Sequence, residues 1–257
     1  MSDSAPRPNN TPVHEPLYPL DGGYGSSDFE AIAVLARVEG SVIADLLSPT
    51  PFHPIGRYVW LEMMVMRDSY GIEPYAGGGV VVPASYKCVI GGFYAFCYVD
   101  TDSSLALGRE AYGYPKKFAR ANYQCTGRAA TASFTRPNLD VRISVVLDQK
   151  PGRTLPDAPR YPHLLFQAIP TADNKDALFQ RVLARDTSVN SKGDLTLGEG
   201  ALDVRSAESG NELSWLNGAE AIAGLHVRGS FAGAPAQVLG LEYVSDELLD
   251  MARHKQG

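Results

Sequence analysis

Two adjacent lysines stand in an aromatic stretch near the middle of the chain. Lys116 and Lys117 follow Pro115 within GREAYGYPKKFARANY, residues 108–123. A lysine whose amine is neutral can attack a ketone or aldehyde, and the resulting imine acts as an electron sink. The plain alternative is a pair of solvated lysines in a turn, because lysine is almost never fully buried. The neighbouring side chains weigh against it by offering apolar surface: Tyr112, Tyr114 and Phe118.

A nucleophilic lysine requires a strongly lowered pKa. The usual value of ~10.4 leaves about one amine in 2,500 neutral at pH 7. Lowering the pKa to roughly 7 takes about 4.6 kcal/mol of bias against the ammonium form. A second ammonium ~6 Å away, at an effective dielectric constant of ~20, supplies roughly 2.8 kcal/mol. Adjacent side chains of an extended segment point to opposite faces, so Lys117 can lie farther away than that. Burial must therefore carry much of the shift.

Other familiar chemical signatures are absent from the sequence. It contains no GxSxG, GxxxxGK[ST] or HExxH motif, and no GxGxxG between a strand and a helix. The histidines form no pair at ligand spacing and the cysteines form no CxxC, so we expect no metal. These residues are His14, His53, His163, His226, His254, Cys88, Cys97 and Cys125. The GGG run at 77–79 is interpreted as a flexible turn between strands.

Composition excludes several classes of partner. The chain has 257 residues and a formal net charge of −6, whereas a nucleic-acid-binding protein normally presents a positive face. The longest apolar stretch, VIGGFYAFCYV at 89–99, is too short to span a bilayer. The opening residues lack the apolar region of a signal peptide. We therefore expect a soluble, cytoplasmic protein with no nucleic-acid or membrane partner.

Most of the chain has a sequence pattern typical of β-strands. Runs rich in β-branched and aromatic residues are separated by Gly, Pro, Asn and Asp, a spacing typical of a meander or barrel and not of βαβ units. They lie at 31–37, 58–66, 80–86, 91–99, 131–136 and 140–147. We predict a mostly β (α+β), antiparallel single domain over residues 28–257. A proline-rich, extended arm over residues 1–27 precedes it.

Helices are few. The segment 40–47 offers Ser41 as a cap before apolar residues at helical spacing, and 245–255 begins with Ser245 and ends with basic residues. Both are predicted to be helical. The segment 174–185 suits either a short helix or a kinked strand.

The lysine segment resembles a known family. ALGREAYGYPKKFA (106–119) is similar to the active-site segment of the acetoacetate decarboxylase family, whose hallmark is G-R-E, four residues, then P-K-K. VVPASY (81–86) and YPHLLFQAIP (161–170) match in the same order. Acetoacetate decarboxylase is itself the standard example of a lysine activated by desolvation or a cationic neighbour. The resemblance implies a cone-shaped antiparallel β-barrel, an enclosed pocket and a homo-oligomer. No cofactor is expected, because the lysine is the electron sink.

The resemblance also implies a role for each matching residue. Lys116 becomes the Schiff-base lysine and Lys117 its partner. Arg37 matches the family's active-site arginine and would bind the substrate carboxylate. Glu62 matches a carboxylate near the lysine, and Tyr114 is expected to line the substrate pocket. Without the resemblance, Arg37 would be a surface residue at a strand end and Glu62 an outward position on an edge strand.

One family residue is missing. The decarboxylases carry a second glutamate six residues before the proline of VVPASY, where this chain has Gly77. Glu73 could replace it only if the loop were rearranged. Near the end of the chain, Tyr243 could supply a proton in its place, beside Glu242. The plain alternative for these last two is an ordinary pair in the final strand before the terminal helix.

We therefore expect a Schiff-base-forming lyase that acts on a small oxo acid. Decarboxylation of a β-keto acid through an imine on Lys116 comes first, because the lysine motif is intact. An aldolase–dehydratase that condenses a 2-oxo acid such as pyruvate with an aldehyde comes second, motivated by Gly77. A third alternative is a non-catalytic relative that only binds a ligand, although a binder has no need for a desolvated amine.

Overall fold

The structure is a computed structural model that describes residues 15–19, 23–147, 155–188, 191–206, 212–246 and 248–249. Strands dominate these residues, and a few short helices connect them. The predicted arm over residues 1–27 lies largely outside the described residues. At its end, Tyr24 is buried and the first strand begins at Gly25.

The described strands follow the chain as β1 Gly25–Arg37, β2 His53–Pro54, β3 Tyr58–Tyr70, β4 Tyr75–Tyr86, β5 Val89–Val99, β6 Lys116–Phe118, β7 Arg120–Thr126, β8 Ala129–Arg136, β9 Leu139–Leu147, β10 His163–Pro170, β11 Ala177–Arg185, β12 Ser191–Ser206, β13 Glu220–Ala232 and β14 Gln237–Val244. The helices are α1 Gly40–Leu47, α2 Asp102–Glu110 and a 3-10 turn, Ser214–Leu216. None of the described helices is long and apolar enough to cross a bilayer.

These strands form one large, mixed sheet. Hydrogen-bonded neighbours run in the order β14-β11-β10-β5-β4-β3-β1-β13-β12-β9-β8-β7, with β2 beside β4 and β6 beside β5. Two of the described pairings are parallel, β10 with β5 and β5 with β6, and the others are antiparallel. The predicted mostly β class is confirmed. Within the described residues the sheet is open, so its strand pairs do not close a barrel.

Strand β1 lies at the centre of the sheet and is buried on both faces. Ile32 and Val34 belong to a core cluster that also contains apolar residues of β8 and β9, so the far end of the sheet folds over its centre. Ala33 and Leu35 point to the opposite face and pack against Trp60. We call the face that carries Ala33 and Leu35 the cavity face, because successive side chains of a strand alternate between faces.

The helix and strand predictions hold where the apolar pattern is strong. The helix over 40–47 and all six predicted strand segments are confirmed, and the ambiguous segment 174–185 forms a strand from Ala177 onward. Most of the predicted helix over 245–255 lies outside the described residues. Helix α2 was not predicted, because its buried side consists mainly of small residues that leave a weak apolar pattern. Its buried residues are Ser103, Ser104, Ala106, Leu107 and Gly108.

The interpretation of GGG at 77–79 as a turn is wrong, because these residues lie inside β4, between β3 and β5. A Cβ atom on Gly78 would lie 1.9 Å from the carbonyl oxygen of Glu62. A Cβ atom on Gly79 would lie 1.9 Å from the carbonyl oxygen of Phe96. Only glycine permits such close approach of backbones. The run therefore sets the spacing of three strands next to the site.

Gly78→Ala tests this packing constraint. We expect the added methyl group to lower the free energy of unfolding by about 1–3 kcal/mol, seen as a fall in Tm of roughly 2–4 °C per kcal/mol. Gly23→Ala is the matched control, because a Cβ atom there has no atom within 4 Å. Equal Tm values for Gly78→Ala and the control would contradict the constraint.

Candidate active site

A cavity of about 240 Å³ lies on the cavity face. Aromatic and apolar side chains form most of its wall. One glutamate, one lysine and two arginines line it as well: Glu62, Lys116, Arg160 and Arg185. The tyrosines that line it are Tyr24, Tyr75, Tyr94, Tyr112, Tyr114 and Tyr161. A mostly apolar wall of this kind strengthens the electrostatic interactions inside the cavity.

Strand β6 and helix α2 together place the Lys116 side chain. In the parallel pairing of β6 with β5, Lys116 lies opposite Cys97. The Lys116 Nζ donates to the backbone oxygen of Ser104 at 2.8 Å and to its Oγ at 2.9 Å. Gly108 leaves the space through which the lysine passes, since a Cβ atom there would lie 2.4 Å from Lys116 Cδ. A larger residue at position 108 would displace the end of the lysine side chain, so the glycine of G-R-E helps to set the position of the Lys116 amine.

Burial lowers the pKa of the Lys116 amine from 10.5 to about 8. The neighbouring Cys97 acts in the opposite direction, and the Arg185 guanidinium lowers the pKa further. Burial raises the pKa of the Cys97 thiol to about 12, so this thiol is uncharged at neutral pH and opposes the shift little. A pKa of 8 leaves roughly one amine in ten neutral at pH 7. The expectation that desolvation leads the shift agrees with these causes.

The structure does not place Lys117 beside the Lys116 amine. The Lys117 side chain is 42% exposed and forms an ion pair with Glu212. Because the two lysines lie on one extended strand, their side chains leave on opposite sides. The cation that acts on Lys116 is Arg185, from the end of β11. The role of Lys117 as the partner of Lys116 stays a prediction that this placement does not support.

Glu62 occupies the cavity wall, as the resemblance implied. It pairs with Ala33 across β3 and β1 and is 6% exposed. Its Oε2 lies 3.1 Å from Arg160 Nη1, and its Oε1 accepts a hydrogen bond from the Tyr94 hydroxyl. A buried carboxylate is tolerated only when it is paired and hydrogen-bonded in this way. The pairing of Glu62 with Arg160, 98 positions away in the chain, was not predicted.

Arg185 is a buried guanidinium held by neutral groups. Its Nε donates to the Ala234 carbonyl at 2.7 Å, and its Nη2 donates to the Tyr24 hydroxyl. Its Nη1 lies 3.5 Å from the Tyr114 hydroxyl, and the guanidinium carbon lies 4.0 Å from the centre of the Tyr112 ring. Within the described parts of the chain, no carboxylate lies within ion-pair distance of it. The cavity wall thus carries a positive charge that none of the described acidic residues balances.

Tyr114 and His163 form a hydrogen-bonded pair in the cavity wall. The Tyr114 hydroxyl lies 2.7 Å from His163 Nδ1, and the imidazole stacks on Tyr161 at 4.7 Å between ring centres. Burial, with contributions from Arg185 and Arg160, holds the pKa of His163 well below its usual value. The imidazole is therefore neutral at pH 7. Tyr114 lines the cavity as predicted, although its hydroxyl is engaged by protein groups.

Two predicted site residues lie outside the cavity. Arg37 stands at the end of β1, is 51% exposed and pairs with Glu220 at 2.9 Å. Tyr243 lies on the edge strand β14 and is 43% exposed, and its neighbour Glu242 accepts a hydrogen bond from Tyr86. Neither residue is among the described residues that line the cavity. The substrate-binding role of Arg37 and the catalytic role of Tyr243 therefore stay predictions that this placement does not support.

Gly77 lines the cavity at the position of the missing glutamate. A Cβ atom there would lie 2.8 Å from Val99 Cγ1 and 2.9 Å from the Tyr98 carbonyl oxygen. A larger residue at position 77 would therefore require Val99 and the Tyr98 carbonyl to shift. Glu73 accepts a hydrogen bond from Ser103 Oγ at 3.0 Å and does not line the cavity. Glu62 is the single carboxylate among the described lining residues.

A second polar group lies on the other face of β1. Glu30, Cys125 and His226 bring their potential ligand atoms within 4.8 Å of one another, a convergence that sequence spacing could not indicate. His226 Nε2 lies 2.8 Å from Glu30 Oε1, and Arg67 Nη2 lies 2.7 Å from Glu30 Oε2. The guanidinium of Arg67 already balances the carboxylate charge. A dication there would add like charge beside it.

Arg160, Arg185 and His163 line the cavity but were not predicted as site residues from the sequence. His163 lies within YPHLLFQAIP, the stretch that matches the family, and Arg160 immediately precedes that stretch. This adjacency was the available signal for those two. Arg185 had none, because a charged residue at a strand end usually lies in solvent.

Known proteins match the chain over most of its length. The family model described as acetoacetate decarboxylase (ADC) matches residues 5–248. An acetoacetate decarboxylase of Clostridium beijerinckii is 27% identical over 189 residues, 71% of this chain and 75% of that protein. The crystal structure of acetoacetate decarboxylase from Legionella pneumophila shares the fold, with a TM-score of 0.75, 20% identity and 94% of each chain covered. So does the enduracididine biosynthesis enzyme MppR, complexed with the condensation product of pyruvate and imidazole 4-carboxaldehyde, with a TM-score of 0.72, 14% identity, and 93% of this chain and 98% of that chain covered. The chain therefore belongs to the acetoacetate decarboxylase family.

Proposed function

We propose that this protein is a lyase that forms a Schiff base between Lys116 and a small oxo acid, and that it decarboxylates a β-keto acid. One observation carries the proposal: the Lys116 amine is buried in an aromatic cavity and has a pKa of about 8. A non-catalytic binding protein would have no use for an amine whose burial costs stability. The expected homo-oligomer and the cytoplasmic location stay predictions.

The proposed reaction follows from imine chemistry. The neutral Lys116 amine attacks the keto carbon, and loss of water gives an iminium ion. The bond between the α-carbon and the carboxylate then breaks, its electron pair moves to the iminium nitrogen, and CO₂ leaves an enamine. Protonation at carbon restores the iminium ion, and water releases the ketone and the amine. One proton is consumed, and the water lost at the start is returned at the end.

Glu62 and Arg185 have distinct parts in this proposal. Glu62, held by Arg160 and Tyr94, transfers protons to and from the oxygen and carbon atoms of the intermediates. Arg185 draws the anionic substrate into the cavity, because no acidic residue in the described part of the chain lies within ion-pair distance of it. This field replaces the direct carboxylate contact that the resemblance suggested for Arg37.

An aldolase–dehydratase is the second candidate. Glu62 is the single carboxylate among the described lining residues, and the solved MppR complex shows that this fold can hold a condensation product of pyruvate with an aldehyde. In that reaction, the enamine of a 2-oxo acid would attack an aldehyde and water would then be lost. Decarboxylation remains first because the lysine motif and its supporting glycine are complete.

Lys116→Met tests the nucleophile. This change removes the amine while keeping an apolar chain of similar length, so we expect acetoacetate decarboxylation to fall by roughly 10³-fold or more, measured as CO₂ release. Borohydride should trap no keto-acid adduct on this variant, as judged by intact mass. Lys117→Met is the matched control and should keep its activity, because Lys117 lies outside the cavity. A Lys116→Met enzyme of near-normal activity would contradict the proposal.

Substrate choice separates the two candidate reactions. The wild-type enzyme is incubated with acetoacetate alone, and separately with pyruvate and an aldehyde such as imidazole 4-carboxaldehyde. We expect CO₂ from acetoacetate at the higher rate and little absorbance from a conjugated product. If only the pyruvate mixture reacts, decarboxylation is the wrong assignment.

The pH dependence tests the origin of the lowered pKa. Because only the neutral amine attacks, the rate of borohydride-trapped adduct formation should rise with pH, with a midpoint near 8. Arg185→Met should move the midpoint upward toward 10.5, by less than the full displacement because burial is the larger cause. Lys117→Met should leave the midpoint in place. A larger shift in Lys117→Met than in Arg185→Met would show that the neighbouring lysine is the electrostatic partner after all.

A further inference from the structure

His163 has one ring nitrogen that the described residues leave without a partner. The residue lines the cavity and is only 4% exposed. Its Nδ1 is bonded to the Tyr114 hydroxyl, whereas its buried Nε2 has no hydrogen-bond partner among the described residues. Buried polar atoms are rarely left unsatisfied in folded proteins. This nitrogen, on a residue that lines the cavity, is therefore still available to a ligand atom.

The hydrogen bonds of Tyr114 decide which ring nitrogen of His163 carries the proton. Arg185 Nη1 can only donate, so the Tyr114 oxygen accepts from it at 3.5 Å. If His163 Nδ1 also donated to that oxygen, the hydroxyl proton would have no acceptor among the described residues. The hydroxyl therefore donates to Nδ1, and the single proton of the neutral imidazole lies on Nε2. A chain of donors thus runs from Arg185 through Tyr114 to His163.

We propose that His163 Nε2–H is a binding subsite for an oxygen atom of the substrate carboxylate. The proposal rests on the proposed function, because it concerns an oxo acid held as an imine on Lys116. The guanidinium of Arg185 favours an anionic oxygen in this cavity. Tyr114 is then a positioning residue, because it fixes the tautomer of His163.

A neutral donor suits a carboxylate that is to leave as CO₂. A guanidinium bonded directly to that carboxylate would stabilise the negative charge of the bound substrate, and this charge is lost as the carbon–carbon bond breaks. A guanidinium adds the attraction of a full positive charge to its hydrogen bond with a carboxylate, whereas a neutral imidazole adds only the hydrogen bond. Binding that is stronger in the ground state than in the transition state slows the chemical step. The imidazole orients the carboxylate with a smaller penalty of this kind.

Borohydride trapping with matched carbonyl compounds tests the subsite. Acetoacetate and pyruvate carry a carboxylate, whereas acetone offers the same ketone without one. We expect His163→Leu to lower the trapping efficiency of the keto acids that the wild type accepts by roughly 5- to 150-fold, through a higher half-saturation concentration. The efficiency with acetone should stay unchanged. His163→Gln keeps an N–H donor at a similar reach and should recover part of the loss.

Tyr114→Phe tests the positioning role. Without the hydroxyl, His163 can adopt the other tautomer and lose its donor, so keto-acid trapping should weaken while acetone trapping persists. Adding Tyr114→Phe to the His163→Leu variant should not weaken keto-acid trapping further, because the imidazole donor is already absent. Thermal unfolding of each variant establishes that it is folded. If His163→Leu does not fold, His163→Gln and Tyr114→Phe carry the comparison.

The outcomes distinguish the two proposals. If the wild type traps neither acetone nor a keto acid on Lys116, the proposed function is wrong. If the wild type traps both kinds of carbonyl but His163→Leu weakens them equally, His163 has a structural role and the subsite is refuted. An unchanged keto-acid efficiency in His163→Leu refutes it as well. The subsite is supported if His163→Leu lowers the trapping efficiency of the keto acids alone, and if adding Tyr114→Phe to that variant lowers it no further.

Discussion

The burial of one amine determines how the rest of the site is arranged. Burial removes the Lys116 amine from water and lowers its pKa. Its Nζ donates two hydrogen bonds, both to Ser104. A shift from 10.5 to about 8 corresponds to about 3 kcal/mol, at 1.36 kcal/mol per pKa unit. The folded state binds the proton less tightly than the unfolded state. The cost is therefore fully present below pH 8 and is relieved as pH rises toward 10.5.

Much of the surrounding structure serves to keep that amine covered. Helix α2 packs small, buried residues against the lysine, and Gly108 lets the Lys116 side chain pass close to the helix backbone. The glycine run of β4 brings the neighbouring strands close, including the part of β3 that carries Glu62. These residues contribute little apolar surface of their own. Their value lies in the close approach that they permit, which explains why the motif extends beyond the two lysines.

The β class, helix α1 and the positions of Lys116 and Glu62 in one site could be predicted from the sequence, because each depends on local pattern or on a contiguous motif. The partners of these residues depend on register and on which strand ends are covered. Arg37 and Arg185 both end strands, yet one pairs with Glu220 in solvent and the other is buried among tyrosines. No property of the two local sequences distinguishes them. The same holds for Glu30, Cys125 and His226, which come together only because three strands converge.

The balance of charges in the cavity explains how a cationic site can favour the proposed decarboxylation. Arg160 is balanced by Glu62, whereas Arg185 opposes any further positive charge, including an iminium ion on Lys116. The carboxylate of a bound keto acid offsets that opposition, so the iminium ion can persist while the substrate is whole. Breaking the carbon–carbon bond then converts an iminium–carboxylate pair into a neutral enamine and neutral CO₂. Because separated charges are costly in a medium of low polarity, a buried site favours the step in which both charges disappear.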